Sequence, residues 1–184
     1  VLLEKSRNNT VHKFKIQLLV TCLAISLLGF SSFKSGDQKS EELEWYTKME
    51  VAQQKSAESG KPIFAFFTGS DWCGWCHKLQ ADVFAKPEFK KWAAENVILL
   101  ELDFPRRKKL SPELASQNNE LRQVFRVTGY PTCWVFKLQF NEETQQMSIM
   151  PYGSLGYPSG AVKGKEEVKF LDTANKILAN TPKG

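Results

Sequence analysis

The sequence has few of the features that mark a nucleic-acid-binding protein or a membrane-embedded bundle. Its formal net charge is +5, but four of the 25 basic residues and one of the 20 acidic residues lie before Ser32, which leaves 21 and 19 in the remainder. A chain so nearly balanced lacks the overall basic excess that is typical of nucleic-acid-binding proteins. No apolar run reaches the roughly 20 residues that a membrane-spanning helix needs, and the chain has no internal repeat.

Metal ligands are scarce as well. The chain has four cysteines and two histidines, and a closed zinc site needs four such ligands. After residue 31 that number is reached only if Cys73, Cys76, His77 and Cys133 all converge, and a second close cysteine pair is absent. A metal site is therefore the weaker of the available interpretations. With 184 residues, 42% of them hydrophobic, the chain can also build a core that needs no disulfide staple.

The N-terminal segment has the pattern of an export signal. A basic stretch that ends at Lys15 is followed by Ile16–Phe30, fifteen residues without a charge, which suits the apolar region of a signal peptide. Gly29 and Ser31 are small residues at the positions that a signal peptidase requires for cleavage after Ser31. The alternative is an uncleaved N-terminal anchor. We expect the protein to be exported, to the periplasm or the extracellular space.

The remaining chain divides into a tether and one domain. Residues 32–40 are polar and rich in Gly, Ser and Lys, which is typical of a flexible tether, so we expect the domain to span residues 41–184. Its predicted elements alternate in a way that favours an α/β fold, with a mixed sheet covered by helices on both faces. In order they are helix 41–59, strand 63–68, helix 74–85, a helix that begins at Pro87, strand 97–104, helix 113–125, strand 132–138, strand 146–151 and helix 166–179.

The first helix of this series carries a specific expectation about packing. Residues 41–59 contain no Gly or Pro and end at Gly60 and Pro62, which are helix stop signals. Trp45, Met49 and Ala52 recur at helical spacing. We therefore expect these three side chains to share one face of a single helix.

The stretch DWCGWCH, residues 71–77, places two thiols, two indoles and one imidazole in seven positions. It follows the apolar run IFAFFT, residues 63–68, which is typical of a strand buried on both faces. Three interpretations are open: a redox dithiol, part of a metal site, or a static disulfide. A ring closed by so few residues hardly restricts the unfolded chain, and a static disulfide here would stabilise little.

A second motif makes the first more specific. Gly129-Tyr130-Pro131-Thr132 lies about 55 residues after the cysteines and precedes another predicted strand. With the strand that feeds WCGWC, this turn resembles the thioredoxin superfamily. The extra helix that ends in Gly60-Lys61-Pro62 is similar to exported thioredoxin-like proteins, and the likeness covers about residues 41–180. It implies a thioredoxin-like fold and a redox-active Cys73–Cys76 disulfide in place of a dissociable cofactor.

The chemistry expected of the dithiol follows from a helix that begins at Cys73 or Gly74. Free backbone N–H groups and the positive end of the helix dipole would favour a thiolate at Cys73. The more exposed first thiol would be the nucleophile, and Cys76, one turn further on, would resolve the mixed disulfide.

The resemblance also implies roles for the neighbouring residues. Trp72 would shelter one side of the dithiol, and the variable pair Gly74 and Trp75 would help to set the reduction potential. His77 stands where relatives often have a basic residue, so it would either influence the thiolate and shuttle a proton or lie on the helix surface with a mild effect. The family carries a cis bond at the position of Tyr130-Pro131, a turn whose backbone would pair with an extended substrate.

Two further residues need separate interpretation: Cys133 lies outside the CxxC motif, and Phe67 departs from the family pattern. Cys133 falls in a predicted strand and would be either a small buried residue, the alternative we favour, or a third redox thiol. Phe67 stands where thioredoxins keep a buried acid, six residues before the first cysteine. Asp71 is too near the surface turn to replace that acid. The sequence therefore predicts neither efficient general-base assistance to Cys76 nor a strongly reducing role like that of thioredoxin.

We conclude from the sequence that the protein is an exported thiol-disulfide oxidoreductase with catalytic Cys73 and Cys76. Its partners would be protein thiols and disulfides and a redox partner protein, with no nucleic acid and no membrane contact beyond a possible N-terminal anchor. We expect a monomer. The alternatives are a thioredoxin-like binding or chaperone module with a vestigial dithiol and a metallochaperone.

Overall fold

The structure, a computed structural model, describes residues 42–180. This part of the chain folds into a five-stranded sheet with helices on both faces, which confirms the predicted α/β class. A π-helical turn, Gln80–Phe84, directly follows the helix Gly74–Leu79. In chain order the elements are β1 (Trp45–Tyr46), α1 (Met49–Ser59), β2 (Ile63–Thr68), α2 (Gly74–Leu79), α3 (Pro87–Asn96), β3 (Ile98–Asp103), α4 (Pro112–Val124), β4 (Thr132–Asn141), β5 (Gln146–Leu155) and α5 (Glu166–Ala179).

The sheet is mixed, with strand order β1-β3-β2-β4-β5. Strands β1 and β2 both run parallel to β3, whereas β4 is antiparallel to β2 and to β5. The central strand β2 is buried at all six residues, as its uninterrupted apolar sequence predicts. Its C-terminal end delivers the chain to the two cysteines.

Alternation along β2 divides the interior into two cores. Phe64 and Phe66 face one side, where they pack with α2, α3 and α5 residues such as Leu79, Phe89 and Phe170. Ile63, Ala65 and Phe67 face the other side, toward α1 and α4. The core that contains Phe64 and Phe66 also contains both cysteines of the motif, and we call it the dithiol core. The rings of Trp45, Phe84, Phe89, Trp92 and Phe170 all lie with centroids 6.0–6.3 Å from that of Phe64.

The predicted helix 41–59 is wrong in its first part. Trp45 and Tyr46 form strand β1 beside Leu99 and Leu100 of β3, and helix α1 begins only at Met49. Trp45 packs into the dithiol core while Ala52 packs into the opposite one, so the two do not share a face. Packing of the indole against three phenylalanine rings and pairing of β1 with β3 override the local helical spacing.

The remaining boundaries differ from prediction mainly at strand ends. Strands β4 and β5 form a longer hairpin than residues 132–138 and 146–151 indicated, with a register shift between Val135 and Phe136. Pro151 lies in an edge strand and pairs with Phe136 beside the register shift, and both are places where a sheet tolerates proline. The helix predicted at 74–85 is present, but its second part is π-helical.

The predicted signal peptide at residues 1–31 and the tether at 32–40 lie outside the described residues, as do Glu41 and residues 181–184 of the predicted domain. Between residues 42 and 180, no helix is long and apolar enough to cross a membrane.

Candidate active site

The two motif cysteines form a disulfide at the start of α2. Their sulfur atoms are 2.12 Å apart and their Cα atoms 5.2 Å apart, so the CxxC pair closes as the sequence predicts. Cys73 is the N-cap residue of α2, and Cys76 lies one turn inside the helix. Cys73 is 5% exposed, whereas Cys76 and the free Cys133 are 0% exposed. Of the three cysteines in the described chain, only Cys73 offers surface to a substrate.

Backbone hydrogen bonds explain why the helix starts at this position. The Cys76 N–H donates to Cys73 Sγ at 3.2 Å and to the Cys73 carbonyl at 3.0 Å, and the His77 N–H donates to the same carbonyl at 3.1 Å. The turn before it requires a glycine, because a Cβ at Gly69 would lie 2.4 Å from the Trp72 ring. After reduction, the same N–H and helix terminus favour negative charge on Cys73 Sγ.

Trp72 joins the dithiol turn to two other segments. Its Nε1–H donates to the Phe104 carbonyl at 2.8 Å, just after β3. Its ring meets that of Tyr130 edge-on, with centroids 5.8 Å apart, and the Tyr130 ring lies 5.2 Å from that of Phe104. The Tyr130-Pro131 bond is cis, as the family resemblance implied. Trp72, directly before Cys73, therefore connects the dithiol segment to the turn before β4.

Trp75 borders the dithiol on the side of the helix surface. Its side chain is 59% exposed and contacts the Tyr157 ring at 5.1 Å between centroids. Tyr157 donates to Asp82 Oδ2 at 2.7 Å, and Lys78 donates to the same oxygen at 2.5 Å. These hydrogen bonds, first that of Lys78 and then that of Tyr157, lower the pKa of Asp82. The exposed indole therefore packs against Tyr157, whose neighbours Lys78 and Asp82 carry opposite charges.

Gly74, the other variable residue of the motif, is exposed and unconstrained by packing. A Cβ built there would meet no atom within 4 Å. The surrounding structure would admit a side chain at this position.

His77 is exposed, and its ring turns back toward the segment that precedes the cysteines. Nε2 lies 2.8 Å from the Ser70 carbonyl, which accepts only if that nitrogen carries the proton. Ser70 in turn donates its backbone N–H and its hydroxyl to the Asp103 carboxylate at 2.8 and 2.5 Å. His77 therefore helps to hold the turn before the dithiol.

Asp71 has a role that sequence reasoning missed. Its carboxylate accepts three successive backbone N–H groups, from Arg106 at 3.0 Å, Arg107 at 2.6 Å and Lys108 at 3.1 Å. These bonds, that of Arg106 first, lower the pKa of Asp71. The sequence contains an acid beside the motif and a basic loop bounded by prolines, but nothing in it showed that these two features would contact each other.

Cys133 lies in the middle of the sheet, and the predicted burial is confirmed. It pairs in register with Phe66 of β2 and Leu155 of β5. Burial raises the pKa of its thiol well above the usual value. Both properties disfavour reaction of this thiol with an external disulfide.

Phe67 points away from the dithiol core, into the aromatic group formed with Phe104 and Phe125. The acid on the dithiol side comes from the neighbouring strand instead. Glu101 pairs in register with Phe66 and alternates with Leu100 and Leu102, which face the opposite core. Burial first, and then Asp103, raise the pKa of Glu101. Comparing single positions along β2 could not reveal an acid on β3.

Within residues 42–180, no three or more His, Cys, Asp or Glu side chains are grouped so that they could hold a metal ion. The four potential ligands considered from the sequence do not converge there.

Comparison with known proteins places this site in a family. Residues 44–137 match the family model described as thioredoxin-like. The disulfide bond reductase DsbH of Chlamydia pneumoniae is 37% identical over 117 residues, which cover 64% of this chain and 69% of that protein. The thioredoxin-related protein DsbJ of the same organism is 27% identical over 182 residues, which cover 99% of this chain but only 50% of DsbJ.

Comparison with solved structures shows the same fold. A DsbH oxidoreductase superposes with a TM-score of 0.63 at 25% identity, covering 81% of this chain and 94% of that one. A thioredoxin from Thermus thermophilus, at 16% identity and a TM-score of 0.51, covers 74% of this chain and 87% of its own, and shows the fold alone. The chain therefore belongs to the thioredoxin-like family and carries the dithiol of a thiol-disulfide oxidoreductase.

Proposed function

We propose that this protein reduces disulfides in exported proteins by exchange at Cys73 and Cys76. One observation carries the proposal: the bonded pair sits at a helix start where only Cys73 has accessible surface and where the Cys76 N–H points at Cys73 Sγ. The reducing direction is supported by the similarity to a protein named disulfide bond reductase.

The exchange has two steps. In the reduced protein, the Cys73 thiolate attacks one sulfur of a substrate disulfide; a bond forms between Cys73 and that sulfur, and the other substrate sulfur leaves as a thiolate and takes a proton. The Cys76 thiolate then attacks Cys73 Sγ and releases the second substrate thiol. Two electrons pass from the dithiol to the substrate, and the Cys73–Cys76 disulfide remains. A redox partner protein returns two electrons and two protons, so no dissociable cofactor is needed.

The surrounding residues have supporting roles in this proposal. Trp72 and the Tyr130-Pro131 turn border Cys73 on one side and would receive an extended substrate segment. Trp75 offers an exposed ring on the other side, while Gly74 leaves the approach to the helix start open. His77 positions the turn that precedes Cys73 through the Ser70 carbonyl.

Export rests on the sequence of residues 1–31, with its basic start and uncharged run. The substrates would then be proteins of the periplasm or the extracellular space. We place the protein there as a monomer.

Two measurements test the proposal. Reduction of a disulfide peptide by catalytic amounts of protein should be abolished by Cys73→Ala and strongly reduced by Cys76→Ala, whereas the matched control Cys133→Ala should turn over normally. Equilibration with glutathione should give a reduction potential nearer to that of thioredoxin, roughly −270 mV, than to that of a strong disulfide oxidant, roughly −120 mV. A potential near the second value would overturn the reducing direction, and full activity of Cys73→Ala would overturn the proposal.

A further inference from the structure

Four exposed cations lie beside the dithiol. Arg106, Arg107, Lys108 and Lys109 follow β3 without an intervening acid, and all four are exposed. We call Arg106–Lys109 the cationic loop. It contacts Asp71, which is only two residues before Cys73.

The cationic loop is fixed in place by the main chain. The Asp71 carboxylate accepts the N–H groups of its first three residues at 2.6–3.1 Å. The Asp71 carboxylate is thus occupied by backbone donors, and none of the salt bridges among the described residues joins it to a side chain of the loop. Because the anchor uses backbone atoms, it does not occupy the exposed side chains of the loop.

One cation lies on the site itself. The Arg106 guanidinium carbon is 3.8 Å from the centre of the Trp72 ring, a cation–π contact. The same ring meets Tyr130 at its edge and precedes Cys73 in the chain. The positive charge therefore covers the side of the dithiol formed by Trp72 and the turn before β4.

The charge of the loop is only partly offset within residues 42–180, by charge interactions of Arg107 with Asp71 and of Lys108 with Glu101. None of the salt bridges found among residues 42–180 involves the loop. On the Trp75 side, by contrast, Lys78 is paired with Asp82. The face around Cys73 is therefore cationic on one side and charge-balanced on the other.

We propose that the cationic loop is a docking surface for disulfide substrates that carry Asp or Glu residues next to their cysteine. The inference rests on the proposed function, and it adds the class of substrate. Complementary charge beside the reacting sulfur raises the rate of encounter and orients the substrate, and both effects weaken as salt screens them.

The test uses two disulfide peptides that are identical except for the residues beside one cysteine, Glu-Glu in one and Lys-Lys in the other. We expect kcat/KM for the Glu peptide to be at least about tenfold higher at low ionic strength, the lower end of the effect of electrostatic steering. The preference should fall several-fold at about 0.5 M salt, where the Debye length is only roughly 4 Å.

Charge reversal locates the effect. Arg107→Glu/Lys109→Glu leaves the Asp71 anchor and the Arg106–Trp72 contact intact and should abolish or invert the preference, while Arg107→Gln/Lys109→Gln should reduce it. The control Lys91→Glu/Lys163→Glu makes the same change in net charge at exposed sites on α3 and before α5. It should keep the preference of the wild type. Melting curves establish that all variants are folded.

The outcomes separate this inference from the function on which it rests. Equal rates for the two peptides at low salt, with both reduced through Cys73, would overturn the docking surface and leave the reductase standing. Loss of preference in the control as large as in the loop variant would also overturn it, since net charge would then suffice. If neither peptide is reduced by any form of the protein, the proposed function itself fails.

Discussion

Reduced protein given a short pulse of iodoacetamide at neutral pH is expected to react at Cys73 far faster than at Cys133. Cys73 has accessible surface and an N–H donor aimed at its sulfur. Cys133 is 0% exposed on a strand that is paired on both sides. Burial also raises the pKa of the Cys133 thiol, so little of it is thiolate, the reactive form.

The size of the difference follows from the opening that Cys133 requires. The Cys133 side chain lies in the dithiol core, so it becomes accessible only when the helices that cover this face of the sheet separate from it. The free energy of that opening approaches the global free energy of unfolding, roughly 5–15 kcal/mol for a domain. Since about 1.4 kcal/mol is a factor of ten, Cys133 should react at least about a thousandfold more slowly than an equivalent accessible thiol.

Mass spectrometry of acid-quenched, digested protein measures the rate at each cysteine. In concentrated urea the two rates should converge, which serves as the control for intrinsic reactivity. Rates at Cys73 and Cys133 within about tenfold of each other in the native protein would refute the assignment of Cys73 as the one accessible cysteine among residues 42–180.

Three further changes have defined outcomes. Glu101→Gln should raise the melting temperature at pH 7 but not below about pH 4. Burial raises the pKa of Glu101, so the wild type loses stability as the pH rises through that raised pKa and the carboxyl group ionises. Thermal melts at the two pH values measure this difference. Trp45→Ala should lower the free energy of unfolding by roughly 3 kcal/mol and leave turnover unchanged at low temperature, as urea titration and a peptide-reduction assay would show. Cys133→Ser should lower the free energy of unfolding by about 1–3 kcal/mol, since a hydroxyl is buried there, yet keep the reduction potential.

Each of these three predictions has an outcome that would contradict it. An equal gain for Glu101→Gln at both pH values would show that ionisation is not its cause. Loss of turnover in folded Trp45→Ala would connect β1 to the chemistry, and a changed potential in Cys133→Ser would make Cys133 part of the redox site.

The central part of the fold was predictable because local pattern and tertiary packing agree there. The apolar run of β2 and the glycine-containing turn indicate the same strand-turn-helix unit, and the dithiol follows from it. Trp45 shows the opposite case. Its spacing from Met49 and Ala52 fits a helix, but an edge position beside β3 and a pocket of phenylalanine rings determine where it packs.

The surroundings of the dithiol were less predictable because they depend on contacts between distant segments. Asp71 and Arg106 are 35 residues apart, and only the parallel pairing of β2 with β3 brings the ends of these strands together. The same pairing places Glu101 across from Phe66, whereas the sequence directed attention to Phe67. A strand register of one residue decides which face a side chain occupies, and the sequence alone does not fix it.

The most direct test of exchange through Cys73 is to trap its intermediate. Cys76→Ala removes the thiol that resolves the mixed disulfide but keeps the nucleophile, so substrate proteins should accumulate as adducts on Cys73 that a reductant releases. Cys73→Ala should capture none through this site. If Cys76→Ala traps nothing, while partner proteins still bind after both cysteines are removed, the protein is a binding module and not a thiol-disulfide oxidoreductase.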